Sequence, residues 1–184
     1  DFVKNDIAFA AVDYTLCPKA SISDIINECK AAINWLQSSF HKYNYDPKNI
    51  YISGSSAGAH LAAMCCLENS KEKDQNLVKL AGVVLVSGIY DLEPLIPTTI
   101  NNSIGMDKNS AMAASPLFKN LSDFPNTIIT WGENETIEFK EFQLTLYKPF
   151  TKHIFEESLI GNLIDSALVL ENDGVTAINF NDNQ

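Results

Sequence analysis

The sequence predicts an α/β fold with a mostly parallel sheet covered by helices on both faces. Three observations carry that expectation. Short apolar runs of strand length alternate along the chain with longer runs whose apolar residues recur every three or four positions. The run Gly54-Ser55-Ser56-Ala57-Gly58 stands where one such strand, Asn49 to Ser53, meets an apolar helix, Ala57 to Leu67. With 184 residues, 46% of them hydrophobic, the chain is long enough to bury a core as a single domain, residues 1–184.

Taken in order, Ile7 to Tyr14 is an apolar run ending at the polar, proline-marked Thr15-Leu16-Cys17-Pro18, and it reads as a buried strand. Ser21 or Ser23 caps a helix whose apolar face is Ile22, Ile25, Ile26, Cys29, Ile33, Leu36 and Phe40. The strand and helix around Ser56 follow, then a charged loop near Lys71 to Gln75 and a strong strand, Leu80 to Ser87. Ile89 to Phe118 holds Pro94, Pro97 and Pro116, with a short helical piece near Ser110 to Ala114, and reads as a cap or lid segment. Thr127 to Trp131 reads as a strand, Ile137 to Phe150 as a helix, Ile154 to Ile160 as a last strand, and Gly174 to Phe180 as a weak helix or tail. No internal repeat or low-complexity tract interrupts this order.

The Gly-x-Ser-x-Gly pattern has a physical meaning at a sharp turn from strand to helix. Small neighbours let Ser56 take a strained backbone that exposes its hydroxyl. The helix behind it would present its positive end, and the Ala57 N–H would point where an oxyanion forms. This is the pattern of a serine acyl-hydrolase. In a parallel sheet ligands bind outside the carboxyl ends of the strands. Ser56 and the acidic cluster Glu133, Glu135 and Glu138 both follow strands, so they are expected on the same edge.

Composition narrows the function classes. A net charge of −10 and the absence of a basic stripe argue against a nucleic-acid partner. No apolar run approaches the ~18 residues of a membrane span, and no leader pattern is evident, so a soluble cytoplasmic protein without membrane contact is expected. Cys17, Cys29, Cys65 and Cys66 lack metal-ligand or redox spacing, which predicts reduced thiols and no metal. The three Asn-x-Ser/Thr matches at Asn101, Asn120 and Asn134 are read as chance in an asparagine-rich chain.

Several stretches together resemble one family, kynurenine formamidase (arylformamidase) of the α/β-hydrolase superfamily. They are Val12 to Pro18, the Ser56 turn with Ala59-His60-Leu61-Ala62-Ala63-Met64, Val86 to Ile96, and Ala114-Ser115-Pro116. The Gly88-Ile89-Tyr90-Asp91-Leu92-Glu93-Pro94-Leu95 run is the most specific of them. The resemblance implies a partial α/β-hydrolase fold. It also implies hydrolysis of N-formyl-L-kynurenine to L-kynurenine and formate in tryptophan catabolism, with no cofactor. On that resemblance Ser56 takes the nucleophile position, Ala57 the oxyanion donor, and Glu135 the triad acid, with Glu133 and Glu138 as competitors. The small-molecule substrate would be an aromatic formamide or an ester.

The chain departs from the family at the base. Leu163, in Asn162-Leu163-Ile164-Asp165, stands where the family has histidine, which predicts little or no turnover by this chain. His153 begins the expected last strand, on the order of 20 Å from Ser56 at ~3.3 Å per residue. His60 is read as a structural residue satisfied by a backbone carbonyl, and His41 as a cation at a helix end. The family's upstream strands and its His-Gly-Gly loop have no counterpart before Ile7, so a fragment of the family domain is expected. Two other readings stand beside the formamidase: a general carboxylesterase of the same fold, and a catalytically dead α/β-hydrolase that binds a ligand or partner. The sequence leaves the oligomeric state open.

Overall fold

A computed structural model describes residues 2–69, 79–121, 123–132, 135, 137, 166–171 and 174–179, the last two segments as backbone. Five strands form one sheet in the order β1 (Tyr51–Ser55), β2 (Gly82–Val86), β3 (Asn126–Thr130), β4 (Ser166–Glu171) and β5 (Gly174–Asn179). The first three are parallel, with Tyr51 opposite Gly82 and Gly82 opposite Asn126. β4 then runs antiparallel to β3, and β5 antiparallel to β4. The parallel part carries the residues of interest. Its crossover between β1 and β2 contains α2 (Ala57–Asn69), which lies against both strands, and α1 (Ile22–Tyr43) packs on α2.

Each helix follows from its residues. Ser21, not Ser23, caps α1: its Oγ accepts from the Asp24 N–H at 3.2 Å, while the Asp24 carboxylate accepts from the Ser21 N–H at 3.0 Å. Asn44 ends the helix at φ 56°, its N–H donating to the Phe40 carbonyl at 2.8 Å. Between these caps Ile25, Ile26, Cys29 and Ile33 are buried, so the apolar stripe faces the core. Helix α2 is buried on every side from Ala59 to Leu67, as befits a helix that is apolar all round. Cys29 on α1 and Cys65 on α2 are both buried in the core, and all four cysteines are free.

The 89–118 segment is not an outlying lid. Tyr90, Leu92, Met106, Ala111, Ala114, Ser115 and Pro116 are all buried in the main core. Two short helices, α3 (Asn101–Ile104) and α4 (Lys108–Ala113), shape it. The Asn101 side-chain amide is consumed in closing that loop, donating to the Ile96 and Met106 carbonyls at 3.2 and 2.9 Å. Lys108 on α4 meets Glu93 at 2.8 Å, an exposed pair worth little to stability.

Two further expectations are corrected. Ile7 to Tyr14 is not a buried strand: residues 7–14 have no regular secondary structure, and Ile7 to Asp13 are exposed. Among the described residues β1 pairs only with β2, and residues 7–14 form no ladder on its other edge. Gly174 to Phe180 was expected as a weak helix or tail, yet Gly174–Asn179 is strand β5. Its partner β4 ends at Glu171 opposite Gly174, so only Asn172-Asp173 separate the strands, the spacing of a two-residue hairpin. The helix expected over Ile137 to Phe150 and the strand over Ile154 to Ile160 lie outside the described residues. No described helix is long and apolar enough to cross a membrane.

Candidate active site

The turn after β1 has the geometry its sequence predicts. Ser56 is exposed and sits at φ 54°, in the left-handed region that non-glycine residues enter at a cost of about 1–2 kcal/mol. Its backbone N–H donates to the Val86 carbonyl at 2.8 Å, extending the β1–β2 ladder by one rung before the chain turns. Its own carbonyl accepts from Ala59 and His60 at 3.0 and 3.2 Å, which starts α2 immediately behind the side chain. Ala57 therefore opens the helix, where the first N–H groups have no intrahelical acceptor and remain available to an anion.

The next strand ends in the same way. Ser87 follows β2 at φ 50°, and its N–H donates to the Thr130 carbonyl of β3 at 2.8 Å. Because Ser55 pairs with Val86, Ser56 and Ser87 are neighbours at the carboxyl edge, about 5 Å apart across the ladder. The Ser87 hydroxyl donates to Oε1 of Glu135, which also accepts from the Gly132 N–H at 3.2 Å. The Glu135 N–H closes the loop on the Gly132 carbonyl at 3.2 Å. The other carboxylate oxygen, Oε2, is buried and has no hydrogen-bond partner among the described residues. An acceptor in that state is costly unless a donor meets it, and an imidazole N–H is the donor that a serine triad supplies.

Beneath this edge the most specific sequence run is knotted into the core. Tyr90 is fully buried, and burial pushes its phenol well above the ordinary value, partly offset by the Gly88 backbone. The Tyr90 carbonyl accepts from the Leu117 N–H at 3.1 Å, and Ser115 Oγ accepts from the Leu92 N–H at 2.8 Å while donating to the Ala111 carbonyl at 2.7 Å. His60 joins the same knot from α2, its Nε2–H donating to the Ala114 carbonyl at 2.7 Å. Burial holds its imidazole below the ordinary 6.5, against a smaller opposing effect of that carbonyl.

His60 is thus neutral in the folded chain, while the unfolded chain takes up a proton as pH falls through about 6.5. Stability is full above that pH and is lost as pH falls from it toward the lowered folded value. The expected result is a urea midpoint that declines between pH 7 and pH 5.5. In His60→Gln the part of that decline due to this residue should disappear; an identical slope in the variant would exclude His60 as its source.

A family model described as BD-FAE matches residues 1–137. The chain belongs to the BD-FAE family. Over 184 aligned residues it is 28% identical to a kynurenine formamidase of Danio rerio, covering 91% of this chain and 61% of the relative. It is 34% identical over 70 residues to an isoprenylcysteine alpha-carbonyl methylesterase of Arabidopsis thaliana, covering 38% of this chain and 16% of that protein. Among solved structures it superposes on carboxyl esterase 2 of the fungus Tuber melanosporum with a TM-score of 0.62 and 26% identity, covering 74% of this chain and 52% of that one. The fold is that of the α/β-hydrolase esterases, of kynurenine formamidase-like type. The chain spans about half to three-fifths of the length of the formamidase relatives it matches, 61% for Danio rerio and 50% for Salmo salar.

In this BD-FAE chain the structure brings Ser56, Ala57 and Glu135 to one sheet edge. Glu133, Glu138, His153 and Leu163 lie outside the described residues. His60 faces the Ala114 carbonyl, and His41 lies exposed in the last turn of α1 against Phe40, so neither attends Ser56. Among the described residues no cluster of His, Cys, Asp and Glu could hold a metal ion. Ser87 was not singled out from sequence. Its signal was its place one residue after a strand and directly before glycine, as in an elbow, but its partner Glu135 is 48 residues away.

Proposed function

We propose that this chain forms the nucleophile-bearing part of a serine hydrolase acting on small aromatic formamides, with N-formyl-L-kynurenine as its substrate. The observation that carries the reading is the exposed, left-handed Ser56 between β1 and α2, one strand from the Ser87–Glu135 pair. In this reading the Ser56 hydroxyl oxygen attacks the formyl carbon, and the oxyanion is met by the Ala57 N–H. Collapse expels the arylamine with the serine proton and leaves a formyl ester on Ser56, which water hydrolyses to formate. Glu135 Oε2 is the acceptor that would orient a proton-carrying imidazole. A place in tryptophan catabolism, a cytoplasmic location and independence of cofactors belong to the same proposal, supported by the likeness to kynurenine formamidases.

The test is covalent labelling by a fluorophosphonate together with turnover of N-formyl-L-kynurenine. Labelling should fall on Ser56 and vanish in Ser56→Ala, with any turnover falling by about three orders of magnitude or more. Short alkyl esters hydrolysed faster than the formamide would favour a carboxylesterase, the reading supported by the likeness to the fungal enzyme. Leu163 favours a third reading, a binding protein without chemistry. Thermal stabilisation by the formamide with an unlabelled Ser56 would replace the hydrolase with that reading.

A further inference from the structure

We infer that Ser87 is a positioning residue for the acid of the site: it holds the Glu135 carboxylate by one oxygen and so fixes the direction of the other. The inference rests on the serine-hydrolase reading above and goes beyond it, because no member of a Ser-His-acid triad occupies this position.

Three features support it. Ser87 keeps a left-handed backbone at φ 50° although it is not glycine, a conformation that persists only where its surroundings enforce it. Its N–H is fixed on the Thr130 carbonyl, so the direction of its side chain is set by the β2–β3 ladder rather than by a loose turn. Its hydroxyl donates to Glu135 Oε1, and the Gly132 N–H donates to the same oxygen at 3.2 Å. Two donors on one carboxylate oxygen fix the rotation of the carboxyl group and leave Oε2 buried, without a partner among the described residues and able to accept. Glu135 has one more rotatable bond than aspartate and stands on a turn rather than a strand. A second support is what such a side chain needs in order to hold one orientation.

The experiment compares the parent with Ser87→Gly, Ser87→Ala, Glu135→Gln and Ser87→Gly/Glu135→Gln in p-nitrophenyl acetate hydrolysis, with Ser56→Ala as the blank. Glycine suits a positive φ, so Ser87→Gly keeps the backbone while removing the donor. A merely structural serine would leave kcat untouched when the melting temperature is unchanged. The expected result is that the parent's Ser56-dependent kcat, small in a chain with Leu163 at the family's histidine position, falls by roughly a further tenfold with KM within about twofold and the melting temperature equal or higher. Ser87→Ala should lose a similar factor in kcat, and adding Ser87→Gly to Glu135→Gln should cost little more, because the serine acts through that carboxylate. Unchanged kcat in Ser87→Gly, against a parent rate that depends on Ser56, would overturn the positioning role alone. So would equal factors in the presence and absence of Glu135. A parent with no Ser56-dependent rate would overturn the hydrolase reading and the positioning role together.

Discussion

Replacing Gly54 by alanine should cost upward of about 3 kcal/mol, lower the melting temperature by about 10 °C and abolish labelling of Ser56. The reason is spatial. Gly54 has no positive φ, but a Cβ built on it would run into the Gly58 carbonyl group and lie 2.7 Å from the Ala59 nitrogen. Those atoms are backbone in the first turn of α2 and cannot rotate aside. To admit a methyl group the helix start would have to lift off β1, taking Ser56 and Ala57 with it. The second glycine of the motif is the control: around Gly58 nothing lies within 4 Å of such a Cβ. Gly58→Ala should therefore melt at the same temperature or higher, since alanine favours a helix over glycine by about 1 kcal/mol. Differential scanning fluorimetry beside fluorophosphonate labelling checks both. Equal behaviour of the two variants would mean that the close approach of strand and helix at Gly54 is not a constraint.

Gly88→Ala should be nearly as damaging, at about 2–4 kcal/mol by urea unfolding, for a different reason. Here the obstacle is the Tyr90 side chain: an added Cβ would collide with its hydroxyl and lie 2.5 Å from Cζ and 2.8 Å from Cε1. Tyr90 is fully buried and its carbonyl is tied to Leu117, so the ring has nowhere to retreat. Because the ring carbons themselves are too close, Tyr90→Phe should not rescue the variant, whereas Tyr90→Leu should recover part of the loss. Rescue by phenylalanine would show the hydroxyl alone to be the obstacle. The same packing explains why the Gly-Ile-Tyr-Asp-Leu run is such a specific mark in the sequence. Glycine and tyrosine there are two halves of one contact.

How legible each feature was depended on how local its cause is. The turn at Ser56 and the apolar stripe of α1 are written within short spans, and sequence reading recovered them, while it narrowed the cap of α1 to Ser21 or Ser23. His60 was also legible as a structural residue bonded to a carbonyl, because it lies inside a buried helix. Ile7 to Tyr14 was not. An apolar run becomes a strand only when a neighbour supplies hydrogen bonds, and no described strand flanks β1 on its other side. For β5 the informative signal was the two-residue gap after Glu171, which outweighs the reading of Gly174 to Phe180 as a weak helix or tail. The place of Glu135 at the right edge was legible from its position after a strand, but its grip by Ser87 was not. That contact depends on the parallel register of β2 and β3, which no short window of sequence encodes.

The alternating hydrogen bonds at the strand ends give the edge a staircase construction. Ser56 hangs from Val86, and the next residue, Ser87, hangs from Thr130. Each step takes its height from the strand beside it, so the altitude of the exposed serine is set two strands away, at the end of β3. A one-residue slip there would be copied to both steps in turn. The tolerance to which Ser56 is placed is thus a property of three strands acting as a gauge, and the small residues around it only keep the way clear.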